Sequence, residues 1–371
     1  MKIILLISAM QDGGAESVAS TLVNAWAERG DSVTLIATFS GRGKCNFAIS
    51  EKVSFVYLAD RVKSRGGRIL SVFSRLRALR SLIREIDADV LVSFLANVNV
   101  SSIVASRGLG VPIIVCEHTN PLADRRALHW RLLCRWIYPR ANLLTLLTHG
   151  VVEPFRRLVP GIKHIAVMPN PVPEGLFSER RGTPVMSDRK RLISLGRLHP
   201  CKQFELLIGA FASIADEFKD WDLWIWGEGQ ERAKLEAQIR QSQLRGRIFL
   251  PGRTLTPWRE MAAAQAFALS SSHEGLPMAM MECMAIGLPI VAFDCPSGPR
   301  ELTRNGQDGL LVPPGDTRAL ATALRRLLSD ETLRQELGQR AAVSVRERYS
   351  LGTILRMWDE LFVQVGASAR Q

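Results

Sequence analysis

The stretch Lys2-Ile3-Ile4-Leu5-Leu6-Ile7-Ser8, followed after Ala9 by Met10-Gln11-Asp12-Gly13-Gly14-Ala15-Glu16, decides the fold. A short unbroken aliphatic run between polar residues suits a strand buried on both faces. The Gly-Gly pair then turns the chain, and residues 15–29 carry apolar side chains at helical spacing. Strand, glycine turn and helix in that order open a parallel sheet covered by helices. A secretory leader is not expected, because Gln11-Asp12 interrupts the run and no small-residue cleavage site follows.

Outward from this unit the same alternation continues. Residues 32–38 and 53–58 read as strands, 69–86 as a helix, and 90–94 and 112–116 as strands. The pattern restarts with a strand at 191–195, a helix at 204–217, a strand at 221–226 and a helix at 228–241. Strands near 248–250 and 267–270, a helix at 276–286, a strand at 289–293 and two amphipathic helices complete it. Between the halves, Asn170-Pro171-Val172-Pro173-Glu174 and the polar residues up to Lys190 read as a linker. The expectation is an α/β protein of two doubly wound Rossmann-like domains facing across a cleft. They span residues 1–170 and 191–350, with the linker at 171–190 and a C-terminal helix at 351–371 packing back towards the first domain. Ligands of such sheets sit at the carboxyl ends of the strands, so the cleft is the expected site.

Composition agrees with two globular domains. The chain has 371 residues, 47% apolar and 23% charged, which excludes a disordered, collagen-like or disulfide-scaffold protein. No apolar run reaches the length of a membrane span. Cys45, Cys116, Cys134, Cys201, Cys283 and Cys295 form no C-x-x-C pair, so neither a zinc site nor a redox motif is expected. Reduced thiols in the cytoplasm are the expectation.

Four motifs stand out, three of which carry chemistry. Gly13-Gly14 lets backbone approach a ligand at a helix start, where free N–H groups favour an anion; by itself the pair is also what a tight connection uses. It is not G-x-G-x-x-G, and no P-loop is present, so neither a dinucleotide cofactor nor an ATPase is indicated. Gly196-Arg197-Leu198 with Lys202 places two cations at a strand end, which suits a diphosphate. Glu274-Gly275-Leu276-Pro277 precedes Glu282, a carboxylate set among Met280, Met281, Cys283, Met284 and Ile286. A carboxylate so placed needs hydrogen-bond donors, which sugar or ribose hydroxyls would supply. Asn305-Gly306 reads as a turn before a short strand and is accounted for by structure alone.

These motifs, in this order and with Glu117-His118, Asn170-Pro171 and Gly287-Leu288-Pro289, resemble the family 4 glycosyltransferases over nearly the whole chain. The resemblance implies the GT-B fold, a nucleotide diphosphate sugar donor (a UDP-sugar or GDP-mannose) and retention of anomeric configuration. It implies that Arg197 and Lys202 hold the donor diphosphate and stabilise the leaving group, a role that can replace a metal. Glu282 would bind the ribose, and Glu274 would face the donor sugar. The Gly275-Leu276-Pro277 backbone would meet the sugar's hydroxyls, and His118 would lie near the reaction centre. Glu274, His118, Arg197 and Lys202 are thus the catalytic candidates, and Gly13 and Gly14 would approach the donor phosphate or the acceptor. No metal or cofactor is implied, and Asp87-Ala88-Asp89 reads as helix-end surface. Gln203 stands where the family often has glycine. That departure, with Cys295-Pro296-Ser297-Gly298-Pro299-Arg300-Glu301, resembles the bacterial members that build lipid-linked oligosaccharides and surface polysaccharides.

The net charge of +12 sharpens this. Residues 1–185 hold 24 Lys+Arg against 14 Asp+Glu, net +10; residues 186–371 hold 24 against 22, net +2. Arg61, Lys63, Arg65, Arg68, Arg75, Arg77, Arg80 and Arg84 occur with no acid between them, over an apolar stripe at helical spacing. A second cluster, Arg125, Arg126, Arg131, Arg135 and Arg140, carries Trp130, Trp136 and Tyr138. Basic amphipathic helices of this kind read as membrane-surface binding. Arg75, Arg77, Arg80, Arg84, Arg131 and Arg135 are the residues expected to meet the membrane or the acceptor. The expectation is a hexosyltransferase, peripheral on the inner face of the cytoplasmic membrane, that uses a lipid-linked saccharide acceptor. The alternatives are a nucleotide-sugar epimerase or hydrolase on the same fold, and a basic nucleic-acid-binding protein. No nucleic-acid motif is present, so nucleic acid is not an expected partner.

Overall fold

A computed structural model describes residues 1–11, 13–39, 43–62, 68–118, 127–178 and 189–367. These form two compact units, one of Met1–Pro171 with Ile354–Gln371 and one of Val172–Thr353.

The first unit runs β1 (Lys2–Ile7), α1 (Gly14–Glu28), β2 (Ser32–Ala37), β3 (Ser54–Tyr57), α2 (Arg68–Ile86), β4 (Val90–Phe94) and α3 (Ala96–Ser106). It continues with β5 (Ile113–Glu117), α4 (Leu128–Ile137), β6 (Leu143–Leu146), α5 (Val152–Leu158) and β7 (Ile165–Val167). Its sheet is parallel, in the order β3-β2-β1-β4-β5-β6-β7. In β1, Leu5 lies opposite Leu35 on one side and Val92 on the other. Because strand side chains alternate, Ile3, Leu5 and Ile7 feed one core while Ile4 and Leu6 feed another on the opposite face. That is why this strand is a continuous aliphatic run rather than an alternating one.

The second unit runs β8 (Lys190–Leu195), α6 (Phe204–Ala212), β9 (Trp221–Trp226), α7 (Arg232–Gln241), β10 (Ile248–Gly252), α8 (Pro257–Ala262) and β11 (Ala266–Leu269). It continues with α9 (Met278–Ala285), β12 (Ile290–Phe293), α10 (Pro299–Leu302), β13 (Leu310–Val312), α11 (Thr317–Ser329) and α12 (Glu331–Tyr349). Its parallel sheet has the order β10-β9-β8-β11-β12-β13. The two places where the chain crosses its boundary are clipped together, with Val172 N donating to the Tyr349 carbonyl at 2.8 Å. A last helix, α13 (Leu351–Gln364), returns to the first unit, where Trp358 and Phe362 pack on Trp26 of α1.

Several expectations change. Three helices, not two, close the chain, because Asp330 ends α11 and caps α12 by accepting from Leu333 N at 2.8 Å. The helix expected from residue 228 begins at Arg232, because Gly229 is pressed onto Leu198, whose carbonyl oxygen a Cβ there would approach to 2.2 Å. Asp89 is not surface: it is buried and accepts from Lys2 N at 2.7 Å, anchoring the start of β1. Helix α3, rich in Ser, Asn and Val, has weak helix propensity and forms because it is buried across the sheet. Most of the expected linker, residues 179–188, lies outside the described residues.

Candidate active site

In a doubly wound sheet the crevice for a ligand opens where successive strands diverge to opposite sides. In the second unit that point is β8, flanked by β9 and β11. The loops leaving β8 and β11 carry the expected donor residues. From β8 the chain passes Gly196-Arg197-Leu198, makes a 3-10 turn over Pro200–Lys202 and enters α6 through Gln203, whose φ of 48° is left-handed. A glycine would take that backbone without strain, so Gln203 occupies a glycine-favouring position. From β11 the chain passes Ser270 to Pro277 and enters α9.

The two loops are laced together. Ser270 Oγ donates to the Lys202 carbonyl at 2.8 Å, and Ser272 N donates to the Cys201 carbonyl at 2.8 Å. Lys202 Nζ lies 2.6 Å from Glu274 Oε1, which also accepts from Ser271 Oγ at 2.6 Å. Both side chains retain some exposure, 20% for Lys202 and 13% for Glu274. Gly196 makes room for the lysine, since a Cβ there would lie 3.1 Å from Lys202 Cε. The Arg197 side chain is exposed and, among the described residues, makes no hydrogen bond or salt bridge, while its carbonyl accepts from His199 N at 2.7 Å. The edge therefore presents one paired and one unpaired cation.

Next to it, Ser297 Oγ donates to the Gly275 carbonyl at 2.7 Å. Gly298, at φ 96°, stacks against Pro277, whose Cδ a Cβ would approach to 2.4 Å. The loop of residues 295–298 is thus packed on the Gly275-Leu276-Pro277 turn, with Leu276 and Pro277 buried. Glu282, one turn into α9, has its carboxyl pushed up to about 7 by burial. A hydrogen bond from the Trp258 indole on α8 opposes that rise. Arg304, Asn305 and Gly306 are all left-handed, and Arg304 holds buried Asp308 through two 2.7 Å hydrogen bonds, so this turn is structural. Among the described residues, no three His, Cys, Asp or Glu side chains come together as metal ligands would.

In the first unit, Gly13 and Gly14 lie at the carboxyl end of β1, and His118 at that of β5. The Glu16 carboxylate curls over Gly13, where a Cβ would come within 2.1 Å of it. The helix start is therefore already supplied with a negative charge. Both ring nitrogens of His118 are buried and, among the described residues, have no hydrogen-bond partner; burial pushes its pKa down to about 4, so the ring is neutral. It packs on Phe94 at 4.1 Å between ring centroids and lines a small crevice with Cys116, Thr145, Met168 and Asn170. Beneath it runs a buried network that sequence reading missed. The Tyr138 hydroxyl donates to Glu117, and Asn99 Nδ2 donates to the Cys116 carbonyl at 3.0 Å and to the Tyr138 oxygen at 3.2 Å. Only the position of Glu117 beside His118 hinted at it. Tyr138, expected among the membrane aromatics, is fully buried and belongs to this network.

The arginines separate into groups. Arg80 Nη1 donates to the carbonyls of Ala105 at 2.8 Å and Arg107 at 2.6 Å, closing the end of α3. Arg75 is half-buried and donates to the Thr38 carbonyl. Arg77, Arg84, Arg131 and Arg135 are exposed, with no salt bridge among the described residues. Lys63, Arg65, Arg125 and Arg126 lie outside the described residues.

Comparison with known proteins bears on both units. Residues 178–343 match the family described as Glycosyl transferases group 1, and residues 13–171 match the Glycosyl transferase 4-like domain. The chain is 28% identical to a Campylobacter jejuni α-1,4-N-acetyl-D-galactosaminyltransferase named for a GalNAc-bearing PP-undecaprenol saccharide. That match covers 98% of this chain and 99% of the relative. It is 29% identical to an exopolysaccharide phosphotransferase of Streptomyces coelicolor, over 98% of this chain but only 41% of that protein's length. Among solved structures, the Anabaena protein HepE in complex with UDP shares the fold at a TM-score of 0.80 and 19% identity, covering 98% of this chain and 100% of that one. Two parallel Rossmann-like units, each matching one of the paired glycosyltransferase domains, establish the assignment: the chain is a glycosyltransferase of the GT-B fold.

Proposed function

We propose that the protein is a retaining, metal-independent glycosyltransferase of bacterial polysaccharide or glycan biosynthesis. It moves a hexose or N-acetylhexosamine from a nucleotide diphosphate sugar to a lipid-linked saccharide. The observation that carries this is the Lys202–Glu274 pair at the β8/β11 edge, with Arg197 unpaired beside it. Two cations at a strand end match the charge of a diphosphate, and a carboxylate held by Lys202 just ahead of α9 can accept hydrogen bonds from sugar hydroxyls. The acceptor class follows the Campylobacter jejuni relative's name, and the nucleotide follows the resemblance of the motifs.

The chemistry then needs little more than charge. The acceptor hydroxyl oxygen attacks the anomeric carbon from the face the leaving group departs. The bond from that carbon to the diphosphate oxygen breaks, and its electron pair stays on that oxygen, which takes the acceptor proton. Arg197 and Lys202 neutralise the departing diphosphate, a preorganised electrostatic effect with no proton of its own to move. Glu274 orients the sugar, Glu282 receives the ribose hydroxyls, and neutral His118 offers one donor and one acceptor to a hydroxyl entering its crevice. The exposed arginines of the first unit hold the protein on anionic lipid.

Incubation with UDP- and GDP-sugars and a polyprenyl-diphosphate saccharide, with nucleotide release measured, tests the reading. Lys202→Ala and Glu274→Gln are expected to lower transfer by about a hundredfold or more. Glu274→Gln keeps the size of the side chain and its bond to Ser271, so it should melt near wild type, and its activity separates the site from folding. Full activity in both variants would sink the site. Turnover of donor without acceptor would mark an epimerase or hydrolase instead.

A further inference from the structure

A groove in the first unit has no role in the chemistry above. Its cavity volume is about 330 Å³, at the lower end of the ~300–1,000 Å³ typical of small-molecule sites. Phe39, Leu58, Val72, Leu76 and Trp130 give it apolar walls, and Arg75 reaches into it. Phe39 and Leu58 follow the carboxyl ends of β2 and β3, and the groove also touches the first turn of α3, just past β4. It therefore opens at the same edge of the sheet as Gly13-Gly14 after β1 and His118 after β5.

Its electrostatics are one-sided. Among the described residues, no acidic side chain lines it. The Arg75 guanidinium donates to the Thr38 carbonyl and, among the described residues, has no carboxylate partner. Burial pushes its pKa down, which is the signature of a cation removed from water without compensation. Such a charge is stabilised by an anion that arrives with a ligand. The walls demand an apolar chain, and the exposure of Val72, 58%, and Phe39, 54%, leaves that chain a way in.

We propose that this groove binds the prenyl-phosphate segment of the lipid-linked acceptor, with Arg75 on a phosphate and the isoprenoid chain against Phe39, Val72 and Trp130. The assignment rests on the acceptor class given under Proposed function. It makes the first unit recognise the carrier as well as the sugar it carries.

Calorimetry of the full chain with farnesyl phosphate and with farnesol reads the groove independently of turnover. Wild type should bind both, the phosphate at least tenfold more tightly. Val72→Trp, which fills an exposed position, should lose both ligands at an unchanged melting temperature, and Arg75→Gln should lose the preference for phosphate. In transfer assays in detergent, Val72→Trp should lower at least tenfold the ratio of kcat/KM for a prenyl-linked acceptor over the same saccharide on a short water-soluble aglycone. Absence of farnesyl phosphate binding, or an unchanged ratio, would overturn the groove. Loss of vesicle binding with that ratio unchanged would assign it to membrane phospholipid and overturn it equally. If wild type transfers to no acceptor while farnesyl phosphate binding follows the expected pattern, the transfer reading has failed and the groove stands as a prenyl-phosphate site.

Discussion

At the scale of single residues, Glu282 carries the clearest physical signature. Burial in α9 raises its carboxyl from 4.5 to about 7. A folded value above the unfolded one means that the folded state keeps the proton longer. Stability is then highest below about pH 4.5, falls as pH rises towards 7, and is flat above. The loss is on the order of 3 kcal/mol. Urea unfolding at pH 5 and pH 8 should show this slope in wild type and not in Glu282→Gln; the same slope in both would remove Glu282 as its source. Hydroxyl donors favour the charged carboxylate, so nucleotide binding should tighten between pH 6 and pH 8. The sequence shows the problem, a carboxylate in an apolar helix. It does not show Trp258, the partner on another helix, because nothing in the spacing of either segment predicts that α8 packs beside α9.

At the scale of elements, α13 shows how a helix can be legible while its destination is not. Ile354, Trp358, Leu361 and Phe362 share one face at helical spacing. That face is buried on Trp26, edge-on to Trp358 at 5.6 Å between ring centroids. Trp358→Ala should cost about 3–5 kcal/mol, read as a lower urea midpoint for the first unit. A change under about 1 kcal/mol would mean that the helix adds little to that core. By contrast the Arg29–Asp359 pair, at 2.8 Å and partly exposed, should add no more than ~1 kcal/mol. Caps were legible only after the fact: Asp316 and Asp330 each accept from a backbone N–H at 2.8 Å. Without those bonds in view, residues 317–364 read as fewer, longer helices.

At the scale of the whole molecule the charge becomes a surface. The basic surplus sits in the first half of the sequence, and the structure shows which cations are available. Arg77 and Arg84 on α2 and Arg131 and Arg135 on α4 are exposed. Beside them α4 exposes Leu128, 67%, Leu132, 48%, and Trp136, 68%, one above another at a spacing of four. Arginines bordering exposed aliphatic and indole groups suit the headgroup region of an anionic membrane. At about 1 kcal/mol per cation, neutralising these four arginines should weaken vesicle partitioning roughly a thousandfold. Flotation with anionic vesicles at low salt should recover wild type, and high salt should release it. Binding that resists both salt and substitution would refute an electrostatic attachment. No helix among the described residues is long and apolar enough to cross a membrane.

The sequence by itself determined the α/β alternation, the restart near residue 190 and the positions of Gly196, Arg197, Lys202, Glu274 and Glu282. Each is a local matter of period, turn chemistry or residue type. Tertiary structure alone decided which of them meet: that Lys202 pairs with Glu274 across 72 positions of chain, that Arg80 closes α3 while Arg75 enters a groove, and that Tyr138 serves Glu117. The reason is physical. Hydrogen bonds, burial and the loss of water around a charge depend on neighbours brought together by strand order, and a sequence specifies that order through the whole core at once.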